Sequence, residues 1–380
     1  MTYEILTVPL AELRMRTSMK WRRYPPDVLP LWVAEMDCRI APPVAAALHA
    51  AIDRGDTGYP SGPVYEQAVA RFAADQWGLD LDPARIGLMP DVMGGIRNAL
   101  QVTTHPGDHV VVDPPVYPPF FAAVTGTDRR LLEVPMAADG RLDLAALEAA
   151  FSGRLGVRPT AYLLASPHNP TSRAHTAEDL ATVARLAHEY RIRVIVDAIH
   201  APLTDPGVDY VPYLSMPGSE DALVLFSASK AWNLAGLKAA VMVAGPAATK
   251  DLAAVPYDAA RGAASHLAVL SHTVALDEGR PWLAQLRSEI AANRTLVDRL
   301  LAEKLPAVTQ LPGNATYLAW LDCTALGLQD PYRHFRDAAR VALNPGPAFG
   351  SVGRGHVRLN LATSPEILTE AVSRMAASLD

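Results

Sequence analysis

The run Leu223-Val224-Leu225-Phe226-Ser227-Ala228-Ser229-Lys230 carries an apolar strand into small hydroxyl residues and then an amine. Ala231-Trp232-Asn233-Leu234-Ala235-Gly236-Leu237 follows, with a glycine for the turn. A lysine at the end of a buried strand is costly to desolvate, so it usually has chemical work there. Desolvation lowers its pKa and favours the neutral amine, the form that condenses with a carbonyl. Lys230 is therefore a candidate Schiff-base lysine, and its chemistry points to pyridoxal 5′-phosphate.

Four further positions suit that cofactor. Asp197 ends Val194-Ile195-Val196-Asp197; a carboxylate at a strand end can keep a pyridine nitrogen protonated, which makes the ring an electron sink. A surface-turn aspartate would read the same way. Asn169, in Ser166-Pro167-His168-Asn169-Pro170-Thr171, can donate to the cofactor's phenolic oxygen or form an ordinary Asn-Pro turn. Tyr117, in Pro114-Pro115-Val116-Tyr117-Pro118-Pro119-Phe120, can stack on the ring or simply pack. Arg358, in His356-Val357-Arg358-Leu359-Asn360, suits a two-pronged contact with a substrate carboxylate, or a structural salt bridge.

These residues need strands to carry them. Strand-like runs occur at Val110 to Val112, Arg130 to Val134, Ala161 to Ala165, Val194 to Val196, Leu223 to Phe226 and Ala239 to Val243. Helix-like stretches lie between them. Thr176 to Tyr190 repeats Leu180, Val183, Ala184 and Ala187 at helical spacing, and opens on the capping-box pattern Thr176-Ala177-Glu178-Asp179. Near-continuous apolar strands alternating with helices predict an α/β fold with a mostly parallel sheet covered on both faces. Ligands bind beyond the carboxyl ends of such strands, where Lys230, Asp197 and Asn169 all fall. After about residue 265 the pattern changes. Ser271 to Leu305 predicts one or two long helices, the second opened by Pro281. Strand-like Thr316 to Leu321 and His356 to Leu361 flank a helix at Pro331 to Arg340, and Pro365 to Leu379 closes the chain as a helix. We expect a large domain at 46–270, and a smaller α+β domain built from 1–45 and 271–380, with the first 45 residues irregular.

Composition narrows the function classes. Half of the 380 residues are hydrophobic and only 19% are charged, enough apolar material for a sizeable core. A net charge of −6 gives no basic footprint for nucleic acid. No apolar stretch reaches membrane-spanning length, and Met1-Thr2-Tyr3-Glu4 lacks a charged-then-apolar export pattern. Two cysteines, Cys38 and Cys323, make neither a disulfide framework nor a metal cluster. The expectation is a cytoplasmic protein with no metal, no membrane contact and no nucleic-acid partner.

Taken in order, the motifs resemble the fold-type I pyridoxal-phosphate enzymes of the aminotransferase class I/II superfamily. Within it they are most similar to the cystathionine β-lyase group typified by MalY and PatB. Leu29-Pro30-Leu31-Trp32-Val33-Ala34-Glu35-Met36-Asp37, Tyr117-Pro118-Pro119-Phe120, His168-Asn169-Pro170-Thr171, Ser229 to Leu237 and Ala315 to Asp322 carry the resemblance. It implies a seven-stranded, mostly parallel sheet and the following roles. Lys230 forms the Schiff base, Asp197 pairs the pyridine nitrogen, Asn169 and His200 lie by the phenolic oxygen, and Tyr117 stacks on the ring. Arg358, Ala34 and Asn169 bind substrate. Val92 and Met93, in the helix-opening segment Asp91 to Ile96, join Ser227 and Lys238 at the phosphate. Tyr59 reaches the phosphate in the neighbouring subunit, so a homodimer with shared active sites is implied. Three positions depart from the group's pattern: Asp91 stands where Gly is usual, Ala198 where Glu is usual, and Ser172 where Gly is usual.

The resemblance implies a carbon–sulfur β-lyase that acts on cystathionine or another cysteine S-conjugate. An aminotransferase, and a relative that decarboxylates or oxidatively deaminates a cysteine conjugate, are the competing readings. A catalytically silent binding protein is opposed by the intact Lys230, Asp197 and Arg358. Candidate walls for the substrate's distal group are residues 3–26, Trp32 and 257–266.

Overall fold

A computed structural model describes residues 4–379. Its centre is a seven-stranded sheet. The strands are β1 (Ile86–Met89), β2 (His109–Val112), β3 (Arg130–Glu133), β4 (Ala161–Ala165), β5 (Arg193–Asp197), β6 (Leu223–Phe226) and β7 (Ala240–Ala244). They lie in the order β1-β7-β6-β5-β4-β2-β3. Neighbours from β6 to β3 pair parallel, and β7 runs antiparallel to both β6 and β1. The chain thus has the mostly parallel α/β architecture that its apolar runs predict.

Alternation along these strands explains why they read as continuous hydrophobic runs. Tyr162, Leu164, Val194, Val196 and Phe226 enter one apolar core, whereas Leu163, Ala165, Ile195, Leu223 and Leu225 enter another. Successive side chains point to opposite faces, and both faces are covered, so neither set can be polar. Among the helices that cover them are α1 (Pro42–Asp53), α2 (Val64–Trp77), α3 (Val92–Thr103), α4 (Ala177–Tyr190) and α5 (His266–Glu278). Thr176 caps α4, its hydroxyl accepting from Asp179 N–H at 3.1 Å, as the capping pattern predicts.

α6 (Arg280–Lys304) follows α5 after a break at Gly279, with Pro281 in its first turn. A four-stranded antiparallel sheet then forms from β8 (Thr309–Gln310), β9 (Leu318–Asp322), β10 (Asn344–Pro345) and β11 (His356–Asn360), and α7 (Pro365–Ala377) ends the chain's regular structure. This part has a separate core that includes Val297, Leu321, Leu359 and Leu368. The N-terminal stretch serves both cores: Val8, Leu13, Trp21 and Leu29 join this one, while Ile5, Met36, Cys38 and Val44 join the core beside the large sheet. The stretch is also more regular than its proline content predicts. Short helices cover Leu10–Leu13 and Met19–Arg22, and α1 already begins at Pro42, a first-turn position that a proline tolerates. Among the described residues no helix is long and apolar enough to cross a membrane.

Candidate active site

Three adjacent strands of the large sheet, β6, β5 and β4, deliver Lys230, Asp197 and Asn169 from their carboxyl ends. A cavity of about 310 Å³ lies there. It is lined by Lys230, Asp197, Asn169, Tyr117, His200, Ser227, Ala34, Val92, Met93 and Lys238, together with Asp91 and Arg97. Parallel strands share one polarity, so segments far apart in sequence converge on a single rim.

The electrostatics of the cavity are those of a buried polar site. Lys230 Nζ donates to the Ala34 carbonyl at 2.8 Å. Burial, and then the charge of Arg358, push its pKa down to about 8, so that roughly a tenth of the amine is neutral at pH 7, far more than in an ordinary lysine. Burial raises Asp197 to about 6, against the pull of the Ile199 N–H, which donates to Oδ1 at 3.0 Å, and of Lys230. His200 is pushed down to about 3 by burial and by Lys230 and Arg358, so its ring is neutral, and its Nδ1 is buried without a hydrogen-bond partner. Tyr117 is raised by burial and packs edge-on to Phe120.

Arg358 stands behind Asn169 and does not itself line the cavity. Its Nη1 donates to Asn169 Oδ1 at 2.9 Å and its Nη2 to the Trp32 carbonyl at 3.0 Å. With Oδ1 engaged, the Asn169 amide N–H groups remain for a ligand. Arg358 is 2% exposed, burial lowers its pKa to about 10, and its Nε has no partner among the described residues. Among the described residues no carboxylate pairs with it. A buried cation with only neutral acceptors invites an anion.

One part of the cavity is built at the start of α3. Asp91 caps the helix, Oδ1 accepting from Gly94 N–H at 2.7 Å, and its Oδ2 meets Lys238 Nζ at 3.0 Å. Val92 and Met93 open the helix, and their N–H groups have no intrahelical acceptor. Ser227 Oγ donates to the Ala239 carbonyl at 2.7 Å and accepts from Ser229 N–H at 3.1 Å, which braces the turn into Lys230.

Tyr59 does not enter this cavity; it is 91% exposed. Trp32 contributes its backbone carbonyl to Arg358, while its ring turns edge-on to Tyr24. Residues 4–26 and 257–266 do not line the cavity either, and Tyr3 lies outside the described residues. Of the departures, Ser172 adopts φ 60°, the conformation a glycine takes without strain, and its hydroxyl bonds Thr316 Oγ1 at 2.6 Å and the Leu318 carbonyl at 2.7 Å. Ala198 is buried beside a largely apolar patch that includes Trp77, Tyr213 and Phe226.

Two residues at the site escaped the sequence reading. Arg97 lies one turn into α3, and its amphipathic position reads as a solvent-facing charge. Tyr317, fully buried, donates its hydroxyl to the Ala34 carbonyl at 3.1 Å, the same acceptor that Lys230 uses. It lies inside a motif that carried the resemblance, yet nothing in its spacing reveals which way it faces.

Comparison with known proteins places this geometry. The family model described as Aminotransferase class I and II matches residues 27–375. A Mycobacterium leprae protein provisionally named cystathionine beta-lyase is 50% identical, the match covering 97% of this chain and 96% of that protein. The cystathionine beta-lyase of Corynebacterium glutamicum is 33% identical, with 97% and 99% covered. A crystal structure from Corynebacterium diphtheriae, of a protein provisionally described as a PLP-dependent beta-cystathionase, superposes with a TM-score of 0.93 at 34% identity, covering 99% of both chains.

Proposed function

Because this chain belongs to the aminotransferase class I and II family, we propose that it is a pyridoxal 5′-phosphate-dependent carbon–sulfur β-lyase. Its substrate is cystathionine or another cysteine S-conjugate, and its products are a thiol, pyruvate and ammonia. The observation that carries the reading is the pair Lys230 and Asp197 buried at one cavity, with Arg358, which meets no acid among the described residues, bonded to Asn169 behind it. Elimination is preferred to transamination because the relatives above are named for it.

The residues fit the cofactor. Lys230 would hold its aldehyde carbon, Asp197 its ring nitrogen, and Asn169 and His200 its phenolic oxygen. Tyr117 would cover the ring, and Val92, Met93, Ser227 and Lys238 would hold the phosphate. When bound, the cofactor supplies an electron sink conjugated to the substrate's Cα.

The protein supplies the rest. Asp197, held ionised by that pairing, keeps a proton on the ring nitrogen. Arg358 exchanges a neutral acceptor, Asn169 Oδ1 or the Trp32 carbonyl, for the substrate carboxylate. That contact fixes which Cα bond stands perpendicular to the ring. Lys230, once its amine is free, takes the Cα proton; a pKa near 8 keeps it a competent base at neutral pH. Loss of the thiolate from Cβ completes the elimination; the thiolate takes up a proton, and the three-carbon enamine, once released, tautomerises and takes up one water to give pyruvate and ammonia.

We place the cofactor domain at 46–270, with 1–45 and 271–380 as the small domain, and the enzyme in the cytoplasm as a homodimer. The exposure of Tyr59 suits a side chain that serves the neighbouring subunit's phosphate. Mixing Lys230→Ala with Tyr59→Phe subunits would then restore activity in the hybrid, one of whose two sites is intact. Activity of the mixture no greater than the average of the two separate variants would remove the shared site.

Incubation with S-methylcysteine and with cystathionine, followed by pyruvate assay, tests the reaction. Stoichiometric pyruvate and thiol support it. Keto-acid-dependent amino exchange without pyruvate would replace it with transamination.

A further inference from the structure

The phosphate-like end of the cavity contains an acid. Asp91, Lys238 and Arg97 all line it, so two cations and one carboxylate meet there. Burial disfavours the Asp91 charge, but the Gly94 N–H and Lys238 outweigh it and hold the carboxyl below its ordinary range. Asp91 is thus ionised at neutral pH. It also occupies two of the groups a phosphate would use: the Gly94 N–H in the first turn of α3, and the Lys238 ammonium.

We propose that Asp91 is a built-in competitor for the cofactor's phosphate, sharing Lys238 and the α3 N-terminus with it and setting cofactor affinity below what the rest of the cradle would give. This rests on the reading of the cavity as a pyridoxal-phosphate site. A dianion arriving there must either break the Asp91–Lys238 pair or settle beside a carboxylate. Both outcomes cost electrostatic energy in a partly desolvated pocket. The cost applies to the phosphate alone, because Asp91 touches nothing at the Lys230 end. The cofactor is then held chiefly through its bond to Lys230 and its ring contacts, and exchanges more readily than an acid-free cradle would allow.

The test uses the cofactor-free full-length protein. Asp91→Asn keeps a capping oxygen and removes the charge, and Asp91→Ser does the same with a different cap. Each protein is titrated with pyridoxal 5′-phosphate and with pyridoxal, read by the absorbance of the lysine-bound compound. Inorganic phosphate is measured by competition. Both variants should bind pyridoxal 5′-phosphate roughly tenfold more tightly than the parent, as expected for loss of one unit charge near a dianion. Inorganic phosphate should compete better, and pyridoxal should be unchanged. Unchanged or weaker pyridoxal-phosphate binding by both variants would overturn the proposal and leave Asp91 as a cap that orients Lys238. An equal gain for pyridoxal would also overturn it. A parent protein that forms no adduct at Lys230 would instead bring down the reading of the site itself.

Discussion

Arg358 Nη1 and Asn169 Oδ1 meet at 2.9 Å, a single bond between β11 of the small sheet and the loop that follows β4 of the large one. It couples the residue proposed to hold the substrate carboxylate to the residue proposed to contact the cofactor. It also fixes the Asn169 amide, because an oxygen that accepts from Arg358 leaves only N–H groups to face the cavity.

Replacing Arg358 by Gln should therefore do more than weaken substrate. It should cost about 2–4 kcal/mol of amino-acid binding, the range for losing one partner of a buried charged contact. KM should rise far more than kcat falls, and the absorption of the bound cofactor should shift as Asn169 loses its anchor. Steady-state kinetics with a cysteine conjugate, together with a spectrum of the resting enzyme, would check both.

The Lys230 amine should titrate near pH 8 in the cofactor-free protein, about two units below an ordinary lysine. With lysine labelled at Cε, one resonance should move with that midpoint and vanish in Lys230→Arg. A midpoint near 10.4 would mean that burial does not act as described. The same variant should lose cofactor trapping by borohydride and at least about a hundredfold in elimination, the low end of what a positioned base contributes.

Asp197→Asn should raise the thermal stability of the cofactor-free protein at pH 8 and leave it unchanged near pH 3. The folded pKa, about 6, lies above the unfolded value near 3.9, so folding favours the protonated carboxyl. The penalty for burying the charge is absent below both values, grows from about pH 4 to 6, and is complete above. Asn removes it while keeping the oxygen that accepts from Ile199. Calorimetry at the two pH values decides it; a stabilisation independent of pH would point to packing instead.

Ser172→Ala should destabilise the protein by about 1–3 kcal/mol, because the alanine keeps a left-handed backbone, leaves the Thr316 hydroxyl without its acceptor and leaves the Leu318 carbonyl with only the Arg294 guanidinium as a side-chain donor. Ser172→Gly should cost less, since it relieves the backbone while losing the same bonds. Denaturant midpoints for the two variants give the order. A larger loss for glycine would show that the backbone there carries no strain.

Much of this molecule was legible in its sequence. The runs at Ala161 to Ala165, Val194 to Val196 and Leu223 to Phe226 read as strands because both faces of the sheet are buried and no position can be polar. The polar residues that interrupt them, Asn169, Asp197 and Lys230, then stand out at the carboxyl ends, and a parallel sheet brings those ends to one rim. The capping pattern at Thr176 and the proline at 281 marked helix starts for the same local reason. The beginning of α1 was hidden because Pro42 suits a helix's first turn and an irregular chain equally well.

What the tertiary structure alone decided is every relation between distant segments. Whether Asp91 caps its helix or turns to Lys238 is a question of two side chains meeting; it does both. That Tyr317 and Lys230 share the Ala34 carbonyl, that Arg358 finds no acid among the described residues, and that Tyr59 lies exposed outside its own chain's cavity follow from how the sheets and an N-terminal strap pack together. Residue type and local spacing determine which groups can do chemistry. Desolvation and partnership, which set their charge and direction, exist only once remote parts of the chain have closed around them.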